Sequence, residues 1–346
     1  MDLTDKCILV TGAAGFLGRH VVAELNGRGC RTIIHPTRDR CDYTSEQQVR
    51  RTFALYKPNV VIHCAARVGG IKANSRAPGL FFYENALMGL HVIEACRLWD
   101  VRKLVVVGTV CSYPEITPTP FIEADLWKGY PEPTNAPYGV AKRALLTMCQ
   151  AYREQYNLNA VFLMPANLYG PGDNYDRVGS HVIPAMIRKF VEAKDSGADV
   201  VELWGDGSPT REFLYVGDAA RMIVDAAERY DSGLPMNLGT GAELSMLELA
   251  GTIAGMVGYR GRLMWGGEYN GQIRRRLDLT RARAFGFTAR VDLFDGLATT
   301  INSYCAGVIK SSHASKADEM GERRPDSRAE HQGVCSDAAE PASAGS

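Results

Sequence analysis

Cys7-Ile8-Leu9-Val10-Thr11-Gly12-Ala13-Ala14-Gly15-Phe16-Leu17-Gly18 decides the fold. An apolar run of the length of one buried strand passes into three evenly spaced glycines, and helical apolar spacing begins at Gly15. In such a turn Gly12 permits the tight reversal, Gly15 lets the backbone approach a pyrophosphate, and Gly18 lets helix and strand pack closely. The helix then presents its N-terminal N–H groups to the anion. Phe16 and Leu17 complete the expected cofactor loop. The spacing is GxxGxxG rather than GxGxxG, and the bland alternative is a Gly-rich turn with no ligand. Its place at the first strand-to-helix turn of an alternating chain favours the nucleotide.

Working outward, Thr32–His35, Val60–His63, Leu104–Gly108 and Ala160–Met164 read as further strands, with helices starting near Gly15, Ser45, Gly79 and Tyr138. Strands apolar from end to end and separated by helices imply a parallel sheet covered on both faces. The expected fold is α/β, a doubly wound parallel-sheet (Rossmann) domain with a smaller discontinuous α/β substrate domain. Helices are expected near His181–Lys194 and Met246–Val257. Glu212–Val216 and Pro235–Leu238 read as sheet material returning to the first domain. The expected division is 1–166 plus about 211–240 for the dinucleotide, and about 167–210 with 241–310 for the substrate. From Ser311 to Ser346 small and charged residues dominate, so a disordered tail is expected.

The composition narrows the partners. Of 346 residues, 46% are hydrophobic and 23% charged, which suits a globular chain. Lys+Arg and Asp+Glu both number 39, leaving no net positive field for nucleic acid or an anionic membrane, so neither partner is expected. No apolar run approaches the ~20 residues of a membrane span. Met1 to Lys6 is polar with two aspartates, unlike a signal or transit peptide, and a cytoplasmic location is expected. The nine cysteines are scattered and form no zinc pattern, so no metal is expected. Cys7, Cys64 and Cys96 sit among apolar neighbours and read as small buried hydrophobes.

The second strand ends His35-Pro36-Thr37-Arg38, without the acid that accepts from the ribose hydroxyl of NAD. Arg38 suits a 2′-phosphate, which points to NADP(H), and Asp42 lies where the adenine would be bordered. Farther on, Tyr138-Gly139-Val140-Ala141-Lys142 puts Tyr and Lys on one face at the start of a helix. A phenol needs a neighbouring cation before it works as a proton donor or acceptor at neutral pH, and Lys142 is the candidate. Thr109 follows a strand and offers a hydroxyl to a substrate carbonyl.

The Gly12/Gly15/Gly18 loop, Thr109, and Tyr138 with Lys142 resemble the extended short-chain dehydrogenase/reductases. More narrowly, Ala66-Arg67-Val68-Gly69-Gly70-Ile71, Cys111-Ser112-Tyr113-Pro114, Glu132-Pro133-Thr134-Asn135-Ala136-Pro137-Tyr138, Asn167-Leu168-Tyr169-Gly170-Pro171, Ser180-His181-Val182-Ile183-Pro184 and Arg211-Glu212-Phe213-Leu214 resemble the GDP-L-fucose synthase family. The likeness runs in order from about residue 6 to 307. It implies an enzyme that epimerises C3 and C5 of GDP-4-keto-6-deoxy-mannose and reduces C4 with NADPH. It implies Cys111 as the base and His181 as the acid of the inversions, since a proton must leave one face and return to the other. By the same resemblance Ala65 belongs to the cofactor site; Asn167, Val182, Lys189, Trp204 and Arg211 hold the GDP moiety, Arg274 and Arg275 lie near its diphosphate, and the protein is a homodimer through helices 79–99 and 138–156. Two departures stand out. Thr109 replaces the family's usual serine, and Ala14 stands where well-known members carry an arginine toward the cofactor phosphate.

Three other readings compete with this one. A related GDP-4-keto-6-deoxy-sugar enzyme, for example one acting on a heptose, would share every motif above. A 4-epimerase that recycles its hydride needs no Cys/His pair and favours an acid after the second strand. A non-catalytic dinucleotide sensor on the same fold has no need of the Tyr/Lys pair.

Overall fold

Buried β-branched runs in the first half of the chain form the parallel sheet, and the amphipathic segments between them form its covering helices. In the computed structural model, which describes residues 1–177, 179–267 and 272–321, the order is β1 (Cys7–Thr11), α1 (Phe16–Gly27), β2 (Thr32–Ile34), α2 (Glu46–Tyr56), β3 (Val60–His63), α3 (Ile71–Arg76), α4 (Pro78–Leu98), β4 (Lys103–Val107), α5 (Ala136–Tyr156) and β5 (Ala160–Pro165). There follow β6 (Asn167–Tyr169), α6 (Val182–Ser196), β7 (Val200–Trp204), β8 (Thr210–Arg211), β9 (Phe213–Tyr215), α7 (Val216–Arg229) and β10 (Met236–Leu238). The rest comprises β11 (Leu244–Ser245), α8 (Met246–Val257), β12 (Arg262–Gly266), β13 (Arg274–Arg275), α9 (Thr280–Ala284) and α10 (Leu293–Gly321).

The main sheet is parallel throughout, ordered β10-β5-β4-β3-β1-β2. Its central strands β3, β4 and β5 are buried at every position, as strands covered on both faces must be. Local chemistry marks the helix ends. Ser45 caps α2 by accepting from the Gln48 N–H, Pro78 and Pro137 sit in the first turns of α4 and α5, and Ser245 with Glu248 forms a capping box on α8.

Two expectations change. The Glu212–Val216 strand does not join the main sheet. As β9 it pairs in parallel with β6, while α7 after it packs on α1. The segment reaches the first domain through its helix, because β10 already occupies the place beside β5. The tail expected to be disordered from Ser311 is helical to Gly321 as the end of α10. Once a helix is nucleated, each further Ala, Lys or Glu adds a backbone hydrogen bond at little cost. The rest of that expectation, residues 322–346, lies outside the described residues. Met1–Tyr304 forms one compact unit, and a second unit starts at Cys305. Among the described residues no helix is long and apolar enough to cross a membrane, and no cluster of His, Cys, Asp or Glu has metal-binding geometry.

Candidate active site

The connections leaving the carboxyl ends of β1, β3, β4 and β5 line one cleft of about 860 Å³. Strand order reverses at β1, so successive crossovers diverge to opposite faces and leave a crevice there. At its floor Gly12 adopts φ +69°, and a Cβ on it would stand 2.7 Å from the backbone of Ala65. A Cβ on Gly18 would stand 2.2 Å from the Gly12 carbonyl oxygen. Thr11 Oγ1 accepts from the Ala65 N–H and shares a hydrogen bond with His63 Nδ1 at 2.8 Å, and this buried group fixes Ala65 beneath the loop. Gly15 precedes α1 without a side-chain cap, and Phe16 and Leu17 line the cleft beside it. Farther out on the same wall, the Arg38 side chain is 72% exposed, with its guanidinium 3.8 Å from Asp42. Asp42 is held by the Thr44 N–H and hydroxyl. These hydrogen bonds, and secondarily Arg38, keep its carboxyl below the usual aspartate range.

The chemical groups converge where β4 ends. Thr109 starts a single 3-10 turn, Val110–Ser112, accepting from the Cys111 N–H at 3.2 Å, so the strand end sets the position of both side chains. Gly139 lies against this turn, because a Cβ on it would come within 2.4 Å of the Cys111 carbonyl oxygen. This close approach brings the first turn of α5, with Tyr138, onto Thr109 and Cys111. Burial, and then Cys111, raise Tyr138 above the ordinary phenol value, while a hydrogen bond with Thr109 opposes them. Lys142 gives its ammonium to the Val107 carbonyl at 2.9 Å. Lys142 lies one helical turn from Tyr138, and its ammonium is held by the strand's last carbonyl.

Burial pushes Lys142 down to about 8 from 10.5. The folded value lies below the unfolded one, so the folded state binds fewer protons than the unfolded state between those limits, and stability rises with pH across that window. Lys142→Met is therefore expected to stabilise the free protein by about 2 kcal/mol at neutral pH, about 3 from burial less about 1 for the orphaned carbonyl. The gain should shrink from pH 8 to 10.5, which melting curves across that range check.

Across the cleft His181 stands at the N-cap of α6 but makes no capping bond with its side chain, which leaves the ring to the cleft. Its surface is accessible, yet the cleft walls surround it, and this confinement lowers its pKa. Val182 lines the cleft beside it. Asn167 donates to the Glu212 carbonyl at 2.9 Å, tying β6 to the segment that carries Arg211. Lys189 donates to the Glu202 carbonyl and lies 5.9 Å from the ring centre of Trp204, which is 59% exposed. Arg211 and Arg275 both line the cleft, whereas Arg274 does not. Adjacent strand residues face opposite ways, so Arg274 turns outward into a two-point ion pair with Glu243. The expected basic pair is thus one inward arginine and one surface ion pair. Burial, reinforced by Arg275, lowers the pKa of Arg211.

Three contributors escaped the sequence reading. Lys72 lies 3.8 Å over the Trp204 ring, a contact with no motif to announce it. Glu132 is buried at the cleft wall and accepts from Thr134 and Asn135, bracing the entry to α5. It lies within the 132–138 block, whose sequence carries no sign of this bracing role. Gln272 also reaches the cleft.

Known proteins share this arrangement. The family model for the NAD dependent epimerase/dehydratase family matches residues 8–239. A putative GDP-L-fucose synthase 2 of Arabidopsis thaliana is 39% identical, covering 88% of this chain and 93% of its own. A GDP-L-fucose synthetase from Naegleria fowleri bound to NADP superposes with TM-score 0.82 at 25% identity, covering 89% and 97%. A GDP-mannoheptose C4 reductase from Campylobacter jejuni with NADP bound gives 0.81 at 30%, covering 88% and 99%. With the motifs, their order and the cleft all in agreement, the chain belongs to the NAD dependent epimerase/dehydratase family, and within it to the GDP-L-fucose synthase family.

Proposed function

We propose that this protein converts GDP-4-keto-6-deoxy-D-mannose to GDP-L-fucose by 3,5-epimerisation and NADPH-dependent 4-reduction. The observation that carries the reading is the meeting of Thr109, Cys111 and Tyr138 with His181 and Arg211 in one cleft continuous with the Gly12–Gly18 loop. That loop suits a dinucleotide, since side chains at Gly12 and Gly18 would collide with backbone. Gly12, Gly15, Phe16, Leu17, Gly18, Arg38, Asp42, Ala65, Tyr138 and Lys142 would hold the cofactor. NADPH supplies the hydride for C4 when bound. In this reading residues 1–166 and about 211–240 serve the dinucleotide, and 167–210 with 241–310 serve the GDP-sugar. Asn167, Val182, Lys189, Trp204, Arg211 and Arg275 are the substrate-binding set, with Arg211 meeting the diphosphate.

The chemistry divides among the side chains. Cys111 as thiolate takes the C3 or C5 proton, acidified by the C4 ketone, and becomes a thiol as the C–H pair passes into the enolate. His181 as imidazolium returns a proton to the opposite face and becomes neutral. The confinement that disfavours its charged form also makes that form a stronger acid. Tyr138, kept protonated by burial, then gives its proton to the C4 oxygen with Thr109 holding that oxygen. Incubation with NADPH and GDP-4-keto-6-deoxy-mannose, with the product identified by NMR, tests the assignment. GDP-L-fucose is expected, and no turnover of this sugar alongside turnover of a GDP-4-keto-heptose would transfer it to the heptose reading.

Arg38 carries the cofactor preference. NADPH should bind more tightly than NADH, and Arg38→Ala should cost NADPH roughly tenfold to a hundredfold while leaving NADH unchanged, the worth of one charge-assisted phosphate contact. Titration of both cofactors checks it, and equal affinities in the unmodified protein would end the argument. For assembly, the expected partner is a second copy. Helix α4 leaves Leu80, Phe82, Tyr83, Leu90 and Leu98 exposed beside α5, an apolar face that suits dimerisation. Light scattering on the purified protein measures it.

A further inference from the structure

Arg275 is 8% exposed, and its three nitrogens are not used alike. Nη1 points at Cys111 Sγ, 3.6 Å away, and Nε donates to Gln272 Oε1 at 2.8 Å. Gln272 Nε2 donates in turn to the carbonyls of Pro114, at 3.2 Å, and Glu115, at 2.8 Å. Only an NH₂ group can satisfy two carbonyls, so the amide orientation is fixed and its oxygen is left to face Arg275. The circuit closes on the chain, because Cys111 and Pro114 belong to the same loop.

We propose that Arg275 is a positioning residue for Cys111: the Gln272 brace clamps its guanidinium against Sγ and favours the thiolate that the inversions need. This rests on the reading of Cys111 as the base. A planar guanidinium pinned through Nε cannot swing away as a lysine ammonium on a flexible stem can, so its charge stays at one distance from the sulfur. A fixed cation beside a thiol favours its ionised form.

The other groups facing Cys111 do not replace it. Arg211, from β8, interacts with Cys111 electrostatically but turns Nη1 to the carbonyls of Thr210 and Ile273. Tyr138, from α5, carries no positive charge; its own titration is raised by burial and then by Cys111, the sign expected of two groups that would both become anions. Thr109 is occupied with the Cys111 N–H, and Glu132 with Thr134 and Asn135. His181 lines the same cleft from α6.

The test reads Cys111 without substrate. The full chain is treated with iodoacetamide from about pH 6 to about pH 10, and modification of Cys111 is followed by peptide mass spectrometry. Arg275→Met is expected to slow alkylation at neutral pH about tenfold and to move the profile up by about one pH unit, with Arg275→Lys, which keeps a charge but loses the Nε brace, recovering only part of the loss. Gln272→Leu, which keeps the guanidinium but removes its brace, should act in the same direction by a smaller factor and carries the test where the Met variant does not fold. A folded Arg275→Met or Gln272→Leu protein with the unmodified profile overturns the proposal. Deuterium exchange at C3 and C5 of the keto sugar separates the two ideas. A shifted alkylation profile with unchanged exchange keeps the Arg275 contact and removes Cys111 as the base.

Discussion

Tyr138→Phe is expected to stop NADPH oxidation, by roughly 10²- to 10⁴-fold, while solvent deuterium continues to enter C3 and C5 of the keto sugar. The reasoning starts from separate transition states. Enolisation develops negative charge on the C4 oxygen and moves a proton at carbon, whereas reduction delivers a hydride to C4 and demands a full proton for its oxygen. Phenylalanine keeps the ring packed in the first turn of α5 and deletes only the hydroxyl that burial keeps protonated. In the proposed mechanism Thr109 still donates to the C4 oxygen, which supports the enolate but cannot replace a proton delivered in the reduction. The check is a pair of measurements on one sample, absorbance of NADPH and mass of the recovered sugar. Loss of both reactions together would place Tyr138 in the enolisation as well.

Cys111→Ser should give the converse result. A serine hydroxyl fits the same turn and keeps its N–H on Thr109, but it ionises far less readily than a thiol, so inversion should fall by roughly 10³-fold. Hydride transfer to the unepimerised ketone should persist at a reduced rate. The product is then an unepimerised or partly epimerised GDP-6-deoxyhexose, distinguishable from GDP-L-fucose by NMR coupling constants. A fully epimerised product at near-unmodified rate would return Cys111 to the role of a core cysteine and remove the epimerase assignment with it.

Much of the cleft was legible because its parts are local. The Gly12–Gly18 turn, the Tyr138/Lys142 spacing and the Thr109–Cys111 strand end each lie within a few residues, where backbone geometry leaves few choices. What the residues do to one another was less legible. Lys142 gives its ammonium to Val107 rather than to the Tyr138 hydroxyl, because the strand end presents a carbonyl that needs a donor. Arg274 and Arg275 read as one basic pair, yet strand alternation sends one to Glu243 and the other to Cys111. The Lys72–Trp204 contact joins residues 132 apart in the chain and has no local signal at all.

The sequence by itself determined the alternation of strands and helices in the first half of the chain and the glycine turn after β1, since buried apolar periodicity and glycine sterics act over short stretches of chain. Only the tertiary structure decided the pairing of β9 with β6 outside the main sheet and the setting of Gln272 and Arg275 behind Cys111. The β6–β9 register joins residues 46 apart, and the Arg275–Cys111 contact joins residues 164 apart. They arise when packing brings remote polar groups together away from water, and each buried donor must then find whichever acceptor the fold leaves within reach.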